Sequence, residues 1–205
     1  LSLLREGDEV PVFVGPLGKA AEISKFGTVI CAGGCYGIGA IYPIARALKK
    51  AKNKIITLLD VKANYLLYWE RKFKEISDEF YVSSRDNYYN CKDYVPAVLK
   101  NILKKKTKVD RVISIGCTYL MYTCAEATRP LGIKTLVSLN PIMVDGTGMC
   151  GACRVTVEGK TKFACVDGPE FDGHLVNWEE LFARRKTYFE DEIQSLSFWE
   201  KKNFP

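Results

Sequence analysis

From Thr28 to Leu139 short apolar runs alternate with longer amphipathic segments, and a glycine-rich turn stands at the first junction. Few architectures accept that order. Strand, turn, helix and strand in succession form a βαβ unit, and repeating the unit builds a parallel sheet with helices laid on it. The strands read as Thr28–Ala32, Ile55–Leu59, Phe80–Ser83, Arg111–Ile115 and Thr135–Leu139, five that suit one open parallel sheet. Helices are predicted from the glycine turn through Leu48, over Leu66–Ile76, from an Asp93 N-cap to about Lys104, and around Tyr119–Thr128. The flanks read differently. Glu9–Val14 has the composition of a strand without neighbours, and Gly15-Pro16-Leu17-Gly18 turns the chain at a domain edge. After Asn140 come a glycine-rich loop, a hairpin of Arg154–Glu158 with Lys162–Ala164, and a charged helix from about Trp178. The expected division is therefore 1–20, 21–140 and 141–205.

At 205 residues and 47% hydrophobic content the chain can fill a real core. The formal net charge of +6 is scattered in short lysine runs such as Lys104-Lys105-Lys106, which suits solvated helix ends and not a nucleic-acid stripe. No apolar run approaches the ~18 residues that span a bilayer, and no leader opens the chain, so a cytoplasmic protein without membrane partners is expected. The opening in mid-pattern points to a fragment of a longer protein. The single histidine, His174, argues against histidine-rich zinc sites and Ser/His or Cys/His nucleophilic sites; it reads best as a hydrogen-bonded structural side chain.

The eight cysteines are distributed unevenly, three of them within sixteen residues, which favours metal in a reducing compartment over disulfides. Asp145, Cys150, Cys153 and Cys165 form the pattern D-x4-C-x2-C-x11-C. With cysteine in place of the aspartate this is the plant-type [2Fe-2S] spacing. Two irons need four anionic ligands, and the glycines at 146, 148 and 151 let backbone amides turn toward the bridging sulfides. The fourth ligand arrives from the far strand of the hairpin. A tetrahedral zinc completed by Asp145 or His174 is the competing reading of the same residues.

Gly33, Gly34, Gly37, Ile38 and Gly39 follow a strand and open a helix, a place where a dinucleotide pyrophosphate can approach backbone amides. The strict G-x-G-x-x-G is absent, and a tight turn explains the glycines equally. The sheet is on this reading a Rossmann-like nucleotide-binding one. Asp60, ending the next strand, can accept from a ribose 2′-hydroxyl, which tilts the choice toward NAD(H) over NADP(H); Lys62 weakens that argument. Gly116, Cys117 and Met121 join a later strand to its helix and are expected to face the nicotinamide, unless the turn is purely structural.

Taken together, Gly37–Ala45, Thr128–Asn140 with Pro141, Val144–Cys153 and Phe163–Pro169 resemble the ferredoxin-NADP reductase superfamily. Within it they resemble the electron-transfer subunit of dihydroorotate dehydrogenase B and, more closely, the small subunit of electron-bifurcating NADH-dependent ferredoxin:NADP oxidoreductase. The dihydroorotate type has cysteine in the place of Asp145; the bifurcating type has aspartate. The resemblance implies an FAD-binding β-barrel ahead of the nucleotide domain, of which residues 1–20 match only the last strand and exit loop. No FAD contact therefore carries over to a residue of this chain. Relatives place Gly-Pro where this chain has Gly116-Cys117, so the nicotinamide contact transfers less directly.

The function implied is electron transfer between NAD(P)H, FAD and a [2Fe-2S] cluster, to or from a larger flavin/iron-sulfur subunit and through it to ferredoxin. No side chain of this chain need act as acid, base or nucleophile. Two other classes stay open: a zinc-stapled nucleotide-binding module, and a nucleotide-sensing subunit without electron transfer. The C-terminal helix, with Trp178, Leu181, Phe182 and Tyr188, fits either docking on a large subunit or packing on its own domain.

Overall fold

The computed structural model describes residues 3–84, 95–105 and 108–203. Five strands, β1 (Thr28–Gly34), β2 (Lys54–Val61), β3 (Glu79–Ser84), β4 (Arg111–Ile115) and β5 (Thr135–Ser138), pair in parallel in the order β3-β2-β1-β4-β5. Helices α1 (Gly37–Lys50), α2 (Glu70–Ile76), α3 (Val95–Lys104) and α4 (Thr118–Thr128) make the crossovers. The runs are apolar because most of β1, β2 and all of β4 is buried, as a sheet covered on both faces requires. Chain order reverses between β1 and β4, so the turns that follow these two strands open onto one crevice, where ligands of open α/β sheets gather.

One face of the sheet is covered by Ile38, Ile41 and Leu48 of α1 with Phe73 of α2; the other by Val98, Leu99 and Ile102 of α3 with Leu120 and Cys124 of α4. Each fully buried Ile or Leu contributes roughly 1.5–3 kcal/mol relative to exposure. Burial also pushes the Cys31 and Cys124 thiols up to about 12, which makes them inert core groups at neutral pH.

Beyond β5 the chain forms the hairpin of β6 (Arg154–Val157) and β7 (Lys160–Phe163), then β8 (Glu170–Asp172). β8 adds to the main sheet antiparallel to β5, a sixth strand where five were expected. Its three residues are too few to show a period; pairing with Leu136–Ser138 creates it. A third apolar cluster joins Met121, Val137 and Leu139 to Cys153, Val155, Cys165 and Trp178, so packing runs unbroken across position 140.

Several expectations are corrected. Glu9–Val14 forms no strand, and Phe13 is 94% exposed: its residues favour extended backbone, but no described strand supplies a ladder partner and Pro11 removes one donor. The helix expected over Leu66–Ile76 begins at Glu70, because Trp69 adopts left-handed backbone (φ 60°) after a short 3₁₀ turn at Asn64–Leu66. The charged helix from Trp178 is two, α5 (Trp178–Arg185) and α6 (Phe189–Asn203). Asn177 caps α5 by accepting from the Glu180 amide at 3.0 Å. The Asp93 cap lies outside the described residues. Among the described residues no helix is long and apolar enough to cross a membrane.

Candidate metal centre

The loop after β5 brings the predicted donors together in two pairs. Cys153 and Cys165 are buried, and their sulfurs lie 3.2 Å apart in a thiol–thiol hydrogen bond, well beyond a disulfide bond length. The Cys153 thiol, with burial, raises Cys165 above the ordinary cysteine range. The other pair is at the surface: Asp145 hydrogen-bonds with the Cys150 thiol, and Cys150 is exposed.

Backbone amides shape this outer pair. Asp145 Oδ1 accepts from the Thr147 N–H at 3.0 Å, and Oδ2 accepts from those of Met149 at 3.1 Å and Cys150 at 2.9 Å. The Thr147 amide foremost, then Cys150 and Met149, hold the carboxyl below its usual range against the opposing effect of desolvation. Asp145 is thus ionised and also braces the loop. Gly148 has φ 90°, and a Cβ there would lie 2.7 Å from Val166 Cγ2, so a side chain at 148 meets both strain and a clash. The hairpin delivers Cys165 because the Ala164 N–H donates to the Cys153 carbonyl at 3.2 Å.

This donor set fits a binuclear cluster. Three thiols and a carboxylate become four anionic ligands on deprotonation, and two pairs match two metal ions. Among the described residues no three His, Cys, Asp or Glu side chains gather as a single metal ion needs. His174 Nε2 lies 3.0 Å from Thr128 Oγ1, the structural role expected of it.

The glycine turn after β1, where a nucleotide is expected, is built as a close packing. A Cβ at Gly37 would lie 2.0 Å from the Ile115 carbonyl oxygen, one at Gly33 2.6 Å from Ile41 Cγ2, and one at Gly34 2.7 Å from Leu120 Cδ2. These three glycines let α1 and α4 approach the sheet. At Gly39 only Tyr68 is within reach, its hydroxyl 3.3 Å from such a Cβ. That hydroxyl accepts from the Gly39 N–H at 2.9 Å, at the start of α1 where an anion would bind. Tyr68 carries no motif and could not be found by spacing; only the fold of residues 62–69 places it.

The β1 and β4 turns are tied together across the crevice. Tyr36 donates from its hydroxyl to the Gly116 carbonyl at 2.6 Å and accepts from Asn140 Nδ2, while Asn140 Oδ1 accepts from Thr118 at 3.2 Å. Burial pushes the Tyr36 hydroxyl up, against the Asn140 hydrogen bond, and keeps it a donor. Cys117 is half-buried beside this network, and Ile38 is buried under α1. Asp60 is 9% exposed and lines a cavity of about 20 Å³ with Cys117 and Leu120. Met121 is fully buried in the cluster with Cys153 and Cys165, and so links the α4 turn to the metal loop.

Comparison with known proteins identifies the relatives of this chain. Residues 140–177 match the iron-sulfur cluster binding domain of dihydroorotate dehydrogenase B. The chain is 47% identical over 192 residues to the dihydroorotate dehydrogenase B (NAD(+)) electron transfer subunit homolog of Thermotoga maritima, covering 94% of this chain and 67% of the relative. It is 30% identical to the probable electron transfer subunit of Methanopyrus kandleri, over 82% of this chain and 62% of that one. A solved chain of NADH-dependent reduced ferredoxin-NADP oxidoreductase, an enzyme of flavin-based electron bifurcation, superposes with a TM-score of 0.86 at 45% identity, over 97% of this chain and 71% of that chain. The chain therefore belongs to the family of dihydroorotate dehydrogenase B electron-transfer subunits and their homologues, which are subunits of oxidoreductases.

Proposed function

We propose that this chain passes electrons between a pyridine nucleotide, a flavin and a [2Fe-2S] cluster held by Asp145, Cys150, Cys153 and Cys165. The observation that carries the reading is that the four side chains fall into two pairs on one loop and hairpin, an inner thiol pair of Cys153 with Cys165 and an outer carboxylate–thiol pair of Asp145 with Cys150. A [2Fe-2S] cluster, when bound, takes up and gives back one electron at a time, whereas a flavin handles two. The chain's own residues provide anionic donors, loop amides that can soften charge on them, and a covered inner pair beside an exposed outer one.

The turn at Gly33–Gly39, with Gly116 and Cys117, is the place for NAD(H) or NADP(H), and Asp60 favours NAD(H) once a ligand opens the small cavity that it lines. The amide of Gly39 is the donor for a phosphate, which would take the place of the Tyr68 hydroxyl. FAD belongs to a β-barrel that precedes a nucleotide domain at 21–140 and a cluster module at 141–205, with residues 1–20 as the segment that leads from one to the other. α5 packs on its own domain through Trp178 and Leu181, which leaves α6, with Phe189, Ile193 and Leu196 each more than half exposed, as the face for a larger flavin/iron-sulfur subunit. Asp145 favours the ferredoxin:NADP oxidoreductase type over the dihydroorotate type, and with it a cytoplasmic complex that exchanges electrons with ferredoxin.

Iron, zinc and acid-labile sulfide in anaerobically purified protein, with the visible spectrum before and after dithionite, test the reading. Two irons and two sulfides per chain with bleaching on reduction are expected. One zinc without sulfide would replace it by a metal-stapled nucleotide-binding module.

A further inference from the structure

A cavity of about 300 Å³ lies between the residues that follow β5, the metal loop and the α5–α6 junction, and none of the four donors or turn glycines lines it. Arg154, Arg184 and Arg185 line it with Tyr188, against an apolar side that includes Ile142 and Leu181. No Asp or Glu lines it, and none of the three arginines is ion-paired with a described residue. Arg154 Nη1 donates to the Gly151 carbonyl at 3.2 Å and Arg184 Nη2 to the Ala152 carbonyl at 3.0 Å. Arg184 Nε is buried and has no acceptor among the described residues. The Arg185 side chain has no hydrogen bond to a described residue.

Three guanidinium groups around one cavity repel one another, and a buried N–H without an acceptor is destabilising because its lost hydration is not replaced. A multivalent oxyanion relieves both. Phosphate is the best match, because its oxygens meet the planar guanidinium fork in pairs and its charge answers more than one arginine. The volume stands at the lower limit of the ~300–1,000 Å³ usual for small-molecule pockets, and the apolar side suits the uncharged remainder of an organic phosphate.

We propose that this cavity is a phosphate-binding site, open to inorganic phosphate or to the phosphate of a small organic phosphate. Occupancy braces the segment between Cys150 and Cys153, since Arg154 and Arg184 hold its two carbonyls. The binding claim does not depend on which metal the loop carries.

Isothermal titration of the protein as isolated, in phosphate- and sulfate-free buffer, tests it with inorganic phosphate and AMP as probes. Saturable binding with one site per chain is expected. Binding of both probes alike assigns recognition to the phosphate group alone, and tighter AMP binding adds the apolar side; both support the site. Arg185→Gln removes a charge without removing a described hydrogen bond, and should weaken binding about tenfold or more. Arg184→Gln should do at least as much, with far-UV circular dichroism showing whether its bond to Ala152 was needed for the fold. The neighbouring Lys186→Gln should leave affinity unchanged. No saturable heat at millimolar phosphate or AMP, or equal losses in Arg185→Gln and Lys186→Gln, would overturn the proposal.

Discussion

Gly37→Ala should destabilise the protein far more than an added methyl group suggests. A Cβ at residue 37 meets the Ile115 carbonyl oxygen at 2.0 Å, its carbon at 2.4 Å and Gly116 Cα at 2.8 Å, all backbone atoms of β4 and its turn. No side-chain rotation relieves them. The first residues of α1 must lift until the nearest contact grows from 2.0 Å to the 3.4 Å of ordinary packing, which loosens Ile38 and Ile41 on the same helix, both fully buried now. Overpacking alone costs about 1–3 kcal/mol, and the loosened contacts put the sum near the upper end, about 3 kcal/mol. In a chain of this length that is a fall in Tm of roughly 6–12 °C. Thermal and urea denaturation followed by circular dichroism measure it. Gly39→Ala is the control: its Cβ meets only the Tyr68 hydroxyl, and the change should stay within about 1 kcal/mol of the parent. A Gly37→Ala protein as stable as Gly39→Ala would refute the close helix–strand approach.

At the metal loop, Asp145→Cys should retain a [2Fe-2S] cluster with an altered visible spectrum while Cys150→Ala loses it; an unchanged Asp145→Cys spectrum would remove Asp145 from the ligand set. Tyr36→Phe deletes the bond to Gly116 and the acceptor for Asn140, and should lower stability by about 1 kcal/mol in denaturation and weaken NADH binding in titration; unaltered values in both would show that the two turns are not held by this tie. Glu170 on β8 has its carboxyl raised by burial, which outweighs the opposing pull of Arg111. A raised carboxyl weakens the fold as it ionises, so Glu170→Gln should match the parent below about pH 4.3, the ordinary glutamate value, and exceed it as pH rises above that. Urea midpoints measured from pH 3.5 to 8 should diverge in that direction, and parallel curves would contradict the assignment.

The parallel strands were legible because each is an apolar run bounded by turn residues, and Arg111–Ile115 lies where it was read. What escaped was contributed by distant chain. β8 exists only by pairing with β5; Glu9–Val14 has strand composition without a described partner; Trp69 breaks a helical pattern by backbone handedness that composition does not encode. In the candidate site the donor spacing was readable because a metal loop is local. The Tyr36–Asn140 tie joins residues 104 apart, and the Tyr68–Gly39 contact joins residues 29 apart. The arginine cavity likewise draws residues from both ends of the segment 141–188.

The metal loop leaves the sheet at the end of β5 and returns as β8 to pair with that same strand, Leu136 opposite Asp172 and Ser138 opposite Glu170. Mechanically this is a loop clamped at its base, because β8 is itself a strand of the sheet that β5 belongs to. Leu139 adds to the clamp, its amide donating to the Pro169 carbonyl at 2.9 Å. The proposed donors and the crevice after β1 and β4 are consequently carried on one continuous sheet. On the proposed function, strand pairing at both ends ties the cluster loop to the sheet that carries the nucleotide crevice, so the two proposed cofactor sites share one scaffold.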